Sequence, residues 1–138
     1  MTLEKNKLTV VLDTNVFISA LIFGGIPFEL FDLCRQGRIN LVVSSHILLE
    51  FARILQTKFK FSKKMALDVV SEIRRISKIV YPNIKIDIVK QDLSDNKIIE
   101  CAVEGGAGYL VSGDSHLLDI KYYKTIKIVS LSEFLKFI

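Results

Sequence analysis

Four short runs in this chain are apolar at nearly every position, and helical spacing fills the stretches between them. The runs are Leu8-Thr9-Val10-Val11-Leu12, residues 39–43, Tyr109-Leu110-Val111 and Ile126-Lys127-Ile128-Val129. A strand with one wet face alternates polar and apolar residues. A strand that is apolar throughout is covered on both faces, as in a parallel sheet with helices above and below. Strands alternating with helices then predict a doubly wound α/β domain. The 138 residues fit one such domain, 1–138. A chain of this length buries roughly 68–70% of its unfolded surface, so it needs no disulfide or zinc to fold.

The helices are delimited by their caps. Thr14 or Asn15 caps a helix to about Phe23, where Gly24-Gly25 ends it, and Pro27 suits the first turn of a helix to about Gly37. Ser44 or Ser45 caps a helix through about Thr57. Ser62 starts another, with Met65, Val69, Ile73, Ile76 and Val80 at helical spacing, and Tyr81-Pro82-Asn83 breaks it. Residues 84–89 alternate and read as a short strand or an extended loop. Asp92 or Ser94 starts a helix that ends at Gly105-Gly106, read as a C-cap and tight turn. Ser130 and Glu133 form a capping box before a last helix.

Composition excludes several classes. Half the residues are apolar and a quarter charged, which excludes disorder as the main state. Mean hydropathy is +0.37, yet no apolar stretch reaches the ~18 residues of a spanning helix. The start, Met1-Thr2-Leu3-Glu4-Lys5, lacks a signal-peptide layout, so a cytoplasmic protein is expected, with no membrane partner. Cys34 and Cys101 fit no metal spacing and read as small buried hydrophobes. The net charge of +4 is unevenly spread. Residues 53–90 carry ten basic side chains against three acids, while residues 92–119 carry six acids against Lys97 alone. Such polarity suits a polyanion ligand, although basic stretches are more often plain solvated faces.

The acids fall where a doubly wound sheet places its ligand, beyond the carboxyl ends of the strands. Asp13 follows the first strand and Asp114 follows Tyr109-Leu110-Val111 after Ser112-Gly113. At about 100° per residue, Asp95 shares the core-facing stripe of its helix with Ile98, Ile99, Ala102 and Val103, while Lys97, Glu100 and Glu104 face away. Glu50 borders the apolar arc of Ile47, Leu48, Phe51, Ile54 and Leu55. Each acid also has a structural reading: Asp13 and Asp95 as helix-start residues, Asp114 as a turn residue, Glu50 as a half-exposed one. Together they form a cluster that like-charge repulsion disfavours unless a cation neutralises it. Oxygen donors without a His or Cys set match Mg²⁺ or Mn²⁺ rather than zinc. His46 and His116 have no partner that indicates nucleophilic catalysis, and there is no P-loop, Gly-x-Gly-x-x-Gly or Gly-x-Ser-x-Gly.

Read in order, Leu12-Asp13-Thr14-Asn15-Val16, Glu50, Asp92-Leu93-Ser94-Asp95-Asn96-Lys97 and Tyr109-Leu110-Val111-Ser112-Gly113-Asp114 resemble the PIN domain family. The nearest subgroup is the VapC-like toxin components of prokaryotic toxin–antitoxin systems. The resemblance runs from Leu8 to about Leu131. It implies a three-layer α/β/α sandwich with a central parallel sheet, and a ribonuclease dependent on one or two Mg²⁺ or Mn²⁺ ions. By position, Asp13, Glu50, Asp95 and Asp114 match the family's acidic quartet as catalytic and metal-binding residues. Asn15, Ser112 and the extra acid Asp92 match supporting positions, with Asp92 as an outer group or a helix cap. Arg53, Lys58, Lys60, Lys63 and Lys64, from the basic region, are the candidate RNA contacts. The resemblance also implies a homodimer and a cognate antitoxin, and Leu49, opposite the core arc of its helix, is a candidate interface residue. The tight Gly24-Gly25-Ile26-Pro27 link departs from the family pattern and is expected to reshape the entrance.

Three other readings compete. A phosphohydrolase of the haloacid-dehalogenase type needs a second Asp where this chain has Asn15. A receiver domain needs a Lys near the last strand, and Lys127 lies inside it. The third is a non-catalytic PIN-fold module that binds RNA or protein.

Overall fold

A computed structural model of the chain describes residues 7–89 and 93–138. β1 (Thr9–Leu12) leads into α1 (Thr14–Ile18), which continues as a π-helical turn over Ser19–Phe23. There follow α2 (Gly25–Arg35), β2 (Asn40–Ser44), α3 (Ser45–Thr57), α4 (Lys63–Ile76) and β3 (Ser77–Val80). Then come α5 (Leu93–Glu104), β4 (Tyr109–Val111), α6 (Ser115–Leu118), β5 (Tyr122–Tyr123), β6 (Ile126–Val129) and α7 (Leu131–Phe134). The sheet order is β3-β2-β1-β4-β6-β5. All neighbouring pairs run parallel except β5, which lies antiparallel on β6 at one edge. The architecture is the expected α/β one, a mostly parallel sheet flanked by helices, with one antiparallel edge strand added.

The central strands are buried from end to end, as their composition requires: every residue of β2 is buried, and Val10, Val11, Leu12, Leu110 and Val111 are fully enclosed. Three phenylalanines join the helices of one layer. Phe17 of α1 lies 6.4 Å from Phe31 of α2 and 6.0 Å from Phe51 of α3, between ring centroids. The Gly105-Gly106 turn has two separate reasons for its glycines. Gly106 sits at φ +65°, in the left-handed region, whereas a Cβ on Gly105 would fall 2.2 Å from a methyl of buried Val42. The end of α5 therefore lies directly on β2.

Three expectations are corrected. The helical spacing that runs on to Val80 breaks at Ile76, because Ser77–Val80 pairs in parallel with Leu41–Ser44 and the sheet gains an edge strand. Met65, placed on the apolar face, is exposed. Glu100, placed on the outer side of its helix, is buried at 3% exposure. The cause is the segment 81–89, which takes neither strand nor helix and crosses α5 instead. Its backbone N–H groups find acceptors spaced four residues apart on that helix. Asn83 donates to Glu104 (3.2 Å), Ile86 to Glu100 (2.9 Å), and Ile88 and Val89 both donate to Asn96 (2.9 Å each). Asn96 Nδ2 returns a bond to the Val89 carbonyl at 2.9 Å. Buried backbone groups must be paired, and here side chains take the place of a neighbouring strand.

No single helix among the described residues is long and apolar enough to cross a membrane.

Candidate metal and nucleic-acid site

The sheet reverses its order of addition between β1 and β4. β2 and β3 lie to one side of that junction and β6 to the other. In open α/β sheets this switch point leaves a crevice at the carboxyl ends of the strands. Asp13 is the residue after β1, and its backbone N–H reaches across to the carbonyl of Val111 at the end of β4 (3.1 Å). A cavity of about 290 Å³ opens there. Asp13, Glu50, Asp95 and Asp114 all line it, together with Thr14, Asn15, Arg53, Ser94 and Ile98. Four acids from four separate chain segments thus converge on one space.

Each acid is held differently. Asp13 has extended backbone and caps α1, accepting from the Val16 N–H at 2.9 Å; the cap falls one residue before Thr14 and two before Asn15. Its other carboxylate oxygen accepts from the hydroxyl of buried Ser112. The same hydroxyl accepts from the Asp114 N–H at 2.9 Å, so Ser112 ties the two acids together. Asp114 caps α6, accepting from the His116 N–H at 2.7 Å. Asp95 is buried in the first turn of α5. Glu50 is half-buried on α3, with its carboxylate 4.0 Å from His46 Nε2.

The family model for the PIN domain matches residues 9–116, a span that contains all four acids. This chain belongs to the PIN domain family. The PIN domain is 33% identical over 147 residues to the uncharacterized protein MJ1680 of Methanocaldococcus jannaschii, a match covering 97% of this chain and 94% of the relative. Its fold matches a chain in the crystal structure of VapBC2 from Rickettsia felis bound to a DNA fragment from their promoter. The TM-score is 0.60 at 15% identity, with 88% of this chain and 97% of that one covered.

The donor set of this PIN domain fits a divalent cation. Asp95, Asp114 and His116 offer ligand atoms that all lie within 4.8 Å of one another. Asp13 and Glu50 line the same cavity outside that group. Thr14, also on the cavity wall, has a buried hydroxyl oxygen with no hydrogen-bond partner among the described residues. Burial pushes the Asp13 carboxyl above its usual 3.8, and the Asp114 charge adds to the rise; the Ser112 hydroxyl and the Val16 and Gly113 N–H groups pull the other way. A carboxyl whose pKa is raised on folding supports the fold when protonated, and that support is lost as pH rises through its folded pKa. At neutral pH, without metal, Asp13 therefore weakens the fold. Asp13→Asn keeps a side-chain oxygen for the Val16 cap. It is expected to raise the melting temperature in EDTA at pH 7, with the gain shrinking as the pH falls toward 4. Thermal unfolding across that range checks this, and an Asp13→Asn protein less stable at pH 7 than at pH 4, relative to wild type, would contradict it.

Of the basic residues singled out above, Arg53 lines the cavity, while Lys58, Lys60, Lys63 and Lys64 do not. Lys58 caps the C-terminus of α3, two helical turns beyond Glu50, or about 12 Å along the axis. Asp92 lies outside the described residues. Cys34 and Cys101 are buried, and burial pushes both thiols up to about 12, so neither supplies a thiolate at neutral pH. His116, with a ring nitrogen within 4.8 Å of Asp95 and Asp114 carboxylate oxygens, is the candidate ligand that sequence reasoning set aside. Its signal, an imidazole two positions past an acid at a helix start, has meaning only once Asp95 is known to lie beside it.

Proposed function

We propose that this PIN domain is a divalent-metal-dependent endoribonuclease and the toxin component of a toxin–antitoxin pair. The observation that carries the reading is the convergence of Asp13, Glu50, Asp95 and Asp114 on one cavity at the sheet's switch point, in a chain of this family. Bare carboxylates repel an RNA phosphate and each other, so the cavity is useful to a nuclease only with cations in it. One or two Mg²⁺ or Mn²⁺ ions, held by Asp13, Asp95, Asp114 and Glu50, would neutralise the phosphate and supply an acidified water as nucleophile.

The chain's own residues do the rest. Ser112 fixes the Asp13 carboxylate and the Asp114 backbone in one arrangement. Asn15, exposed on the cavity wall, offers an amide to the substrate. Glu50 orients the attacking water and accepts its proton. Water adds to phosphorus in line, the P–O bond to the leaving nucleotide breaks, and the leaving oxygen takes a proton from solvent, so that an alcohol and a phosphate monoester result. Arg53 holds a phosphate of the bound strand, and Lys58, Lys60, Lys63 and Lys64 extend the positive field along α3 and α4. Cleavage and binding therefore weaken steeply with salt.

A homodimer held inactive by an antitoxin accords with two observations. Large apolar side chains stand in solvent, among them Phe23 and Leu49, 73% and 72% exposed. The structural neighbour is itself a VapBC2 complex.

The test is incubation of a mixed RNA pool with pure protein in Mg²⁺ or Mn²⁺, with excess EDTA and Asp13→Asn in parallel. Cutting that needs metal and vanishes in the variant is expected. Cutting that survives EDTA or Asp13→Asn in nuclease-free protein would overturn the assignment. RNA binding without cutting under either metal would favour the non-catalytic module.

A further inference from the structure

His116 stands closer to the acids than its sequence position announces. Its Nδ1 is 3.6 Å from the Asp114 carboxylate, and its backbone N–H donates to the same oxygen at 2.7 Å. An exposed imidazole beside its own helix cap is weak as an ion pair and by itself means little. Asp95 changes this. It comes from α5, is buried, and has a carboxylate oxygen within 4.8 Å of both the imidazole nitrogen and Asp114. Three donors from two elements therefore lie within 4.8 Å of one another, and two of them, Asp95 and Asp114, share their cavity wall with Thr14, whose buried hydroxyl has no hydrogen-bond partner among the described residues.

We propose that His116 is a direct nitrogen ligand in this site, with Asp95 and Asp114, and that it makes the site favour Mn²⁺ and later first-row cations over Mg²⁺. The inference rests on reading the cavity as a cation site and goes further by naming the ligand that sets ion preference. Mg²⁺ is a hard ion that keeps its waters and gains little from imidazole. First-row divalent ions accept imidazole nitrogen increasingly along the series from Mn²⁺, so one nitrogen donor among carboxylates separates them from Mg²⁺.

The chain has two histidines, which makes the test clean. Mn²⁺ alone is titrated into the full chain, and the bound ion is examined by pulsed electron paramagnetic resonance for nitrogen modulation. Competition with Mg²⁺ gives the relative affinities. Wild type is expected to show nitrogen coupling. His116→Gln is expected to lose it and to bind Mn²⁺ at least about tenfold more weakly, with Mg²⁺ affinity unchanged. His46→Gln is expected to keep the coupling. His116 is exposed, so its replacement leaves the core untouched. Bound Mn²⁺ without nitrogen coupling overturns the inference, and so does coupling that survives His116→Gln or disappears in His46→Gln. In those cases metal-dependent RNA cleavage would still stand. Failure of wild type to bind Mn²⁺ at all, together with cleavage indifferent to EDTA, would remove both readings.

Discussion

Asp114→Asn is expected to lower metal-dependent RNA cleavage by at least about 10²-fold while the chain stays folded. The two halves of this expectation have separate causes. Asp114 caps α6 through one carboxylate oxygen, and its backbone N–H is held by Ser112. Asn caps helices about as well as Asp, so both contacts survive the change. What is lost is one negative charge from a three-donor group shared with Asp95 and His116. Cation stabilisation of the phosphate in the transition state is worth several kcal/mol, and each ~1.4 kcal/mol is tenfold in rate. Ser112→Ala provides the graded comparison. It leaves Asp13 and Asp114 in place but removes the hydroxyl that links them, and outer-shell partners of metal ligands cost about 10–100-fold. Single-turnover rates at saturating Mn²⁺, with circular dichroism and melting curves alongside, check the order wild type, Ser112→Ala, Asp114→Asn. Equal rates in wild type and Asp114→Asn would show that this acid takes no part in the chemistry.

How the site could be read in advance follows from what orients each acid. Asp13 and Asp114 are fixed by the main chain, because a residue just beyond a central parallel strand has only the crevice to face. The apolar strands made that legible. Asp95 was legible because the stripe it shares with Ile98, Ile99 and Ala102 is buried. Glu100 defeated the same reasoning. Helix periodicity assigns faces relative to a sheet, and it carries no information about a second covering such as 81–89 that crosses the opposite side. His116 escaped for a related reason, since its importance lies in a distance to another element and not in its own local pattern.

The fold shows the same division. Tyr109–Val111 and Ile126–Val129 lie where their composition placed them, and the Ser44, Ser62 and Ser130 caps form with their hydroxyls accepting from the Ile47, Met65 and Glu133 N–H groups. β3 was hidden because Val80 continues the four-residue spacing of Ile76, so the helical stripe does not end where the helix does. What ends it is pairing with β2, which is a tertiary event. Residues 84–89 read as a short strand or an extended loop, and the second holds: their N–H groups are taken by Asn96 and Glu100, and no ladder forms.

Phe17→Ala is expected to cost about 3–5 kcal/mol, the range for emptying a fully buried aromatic site. Phe17 is completely enclosed and sits between Phe31 and Phe51 at ring-centroid distances of 6.4 and 6.0 Å. The cavity left would open under α1, where backbone from the cap at Asp13 cannot close it without leaving β1, because Asp13 is tied to Val111, Val16 and Ser112. Partial collapse is thus denied, which places the cost toward the upper end. Against a total stability of about 5–15 kcal/mol, such a loss leaves a large fraction of a marginal domain unfolded near physiological temperature. Phe17→Leu retains most of the volume and is expected to cost less than about 1.5 kcal/mol. Urea titration of the two variants separates these values. It also separates the core from the site: one helical turn lies between Phe17 and Asp13, so Phe17→Leu should keep its cleavage rate when assayed well below its melting temperature. A Phe17→Ala protein as stable as wild type would mean that the three-ring cluster contributes nothing measurable to the stability of the fold.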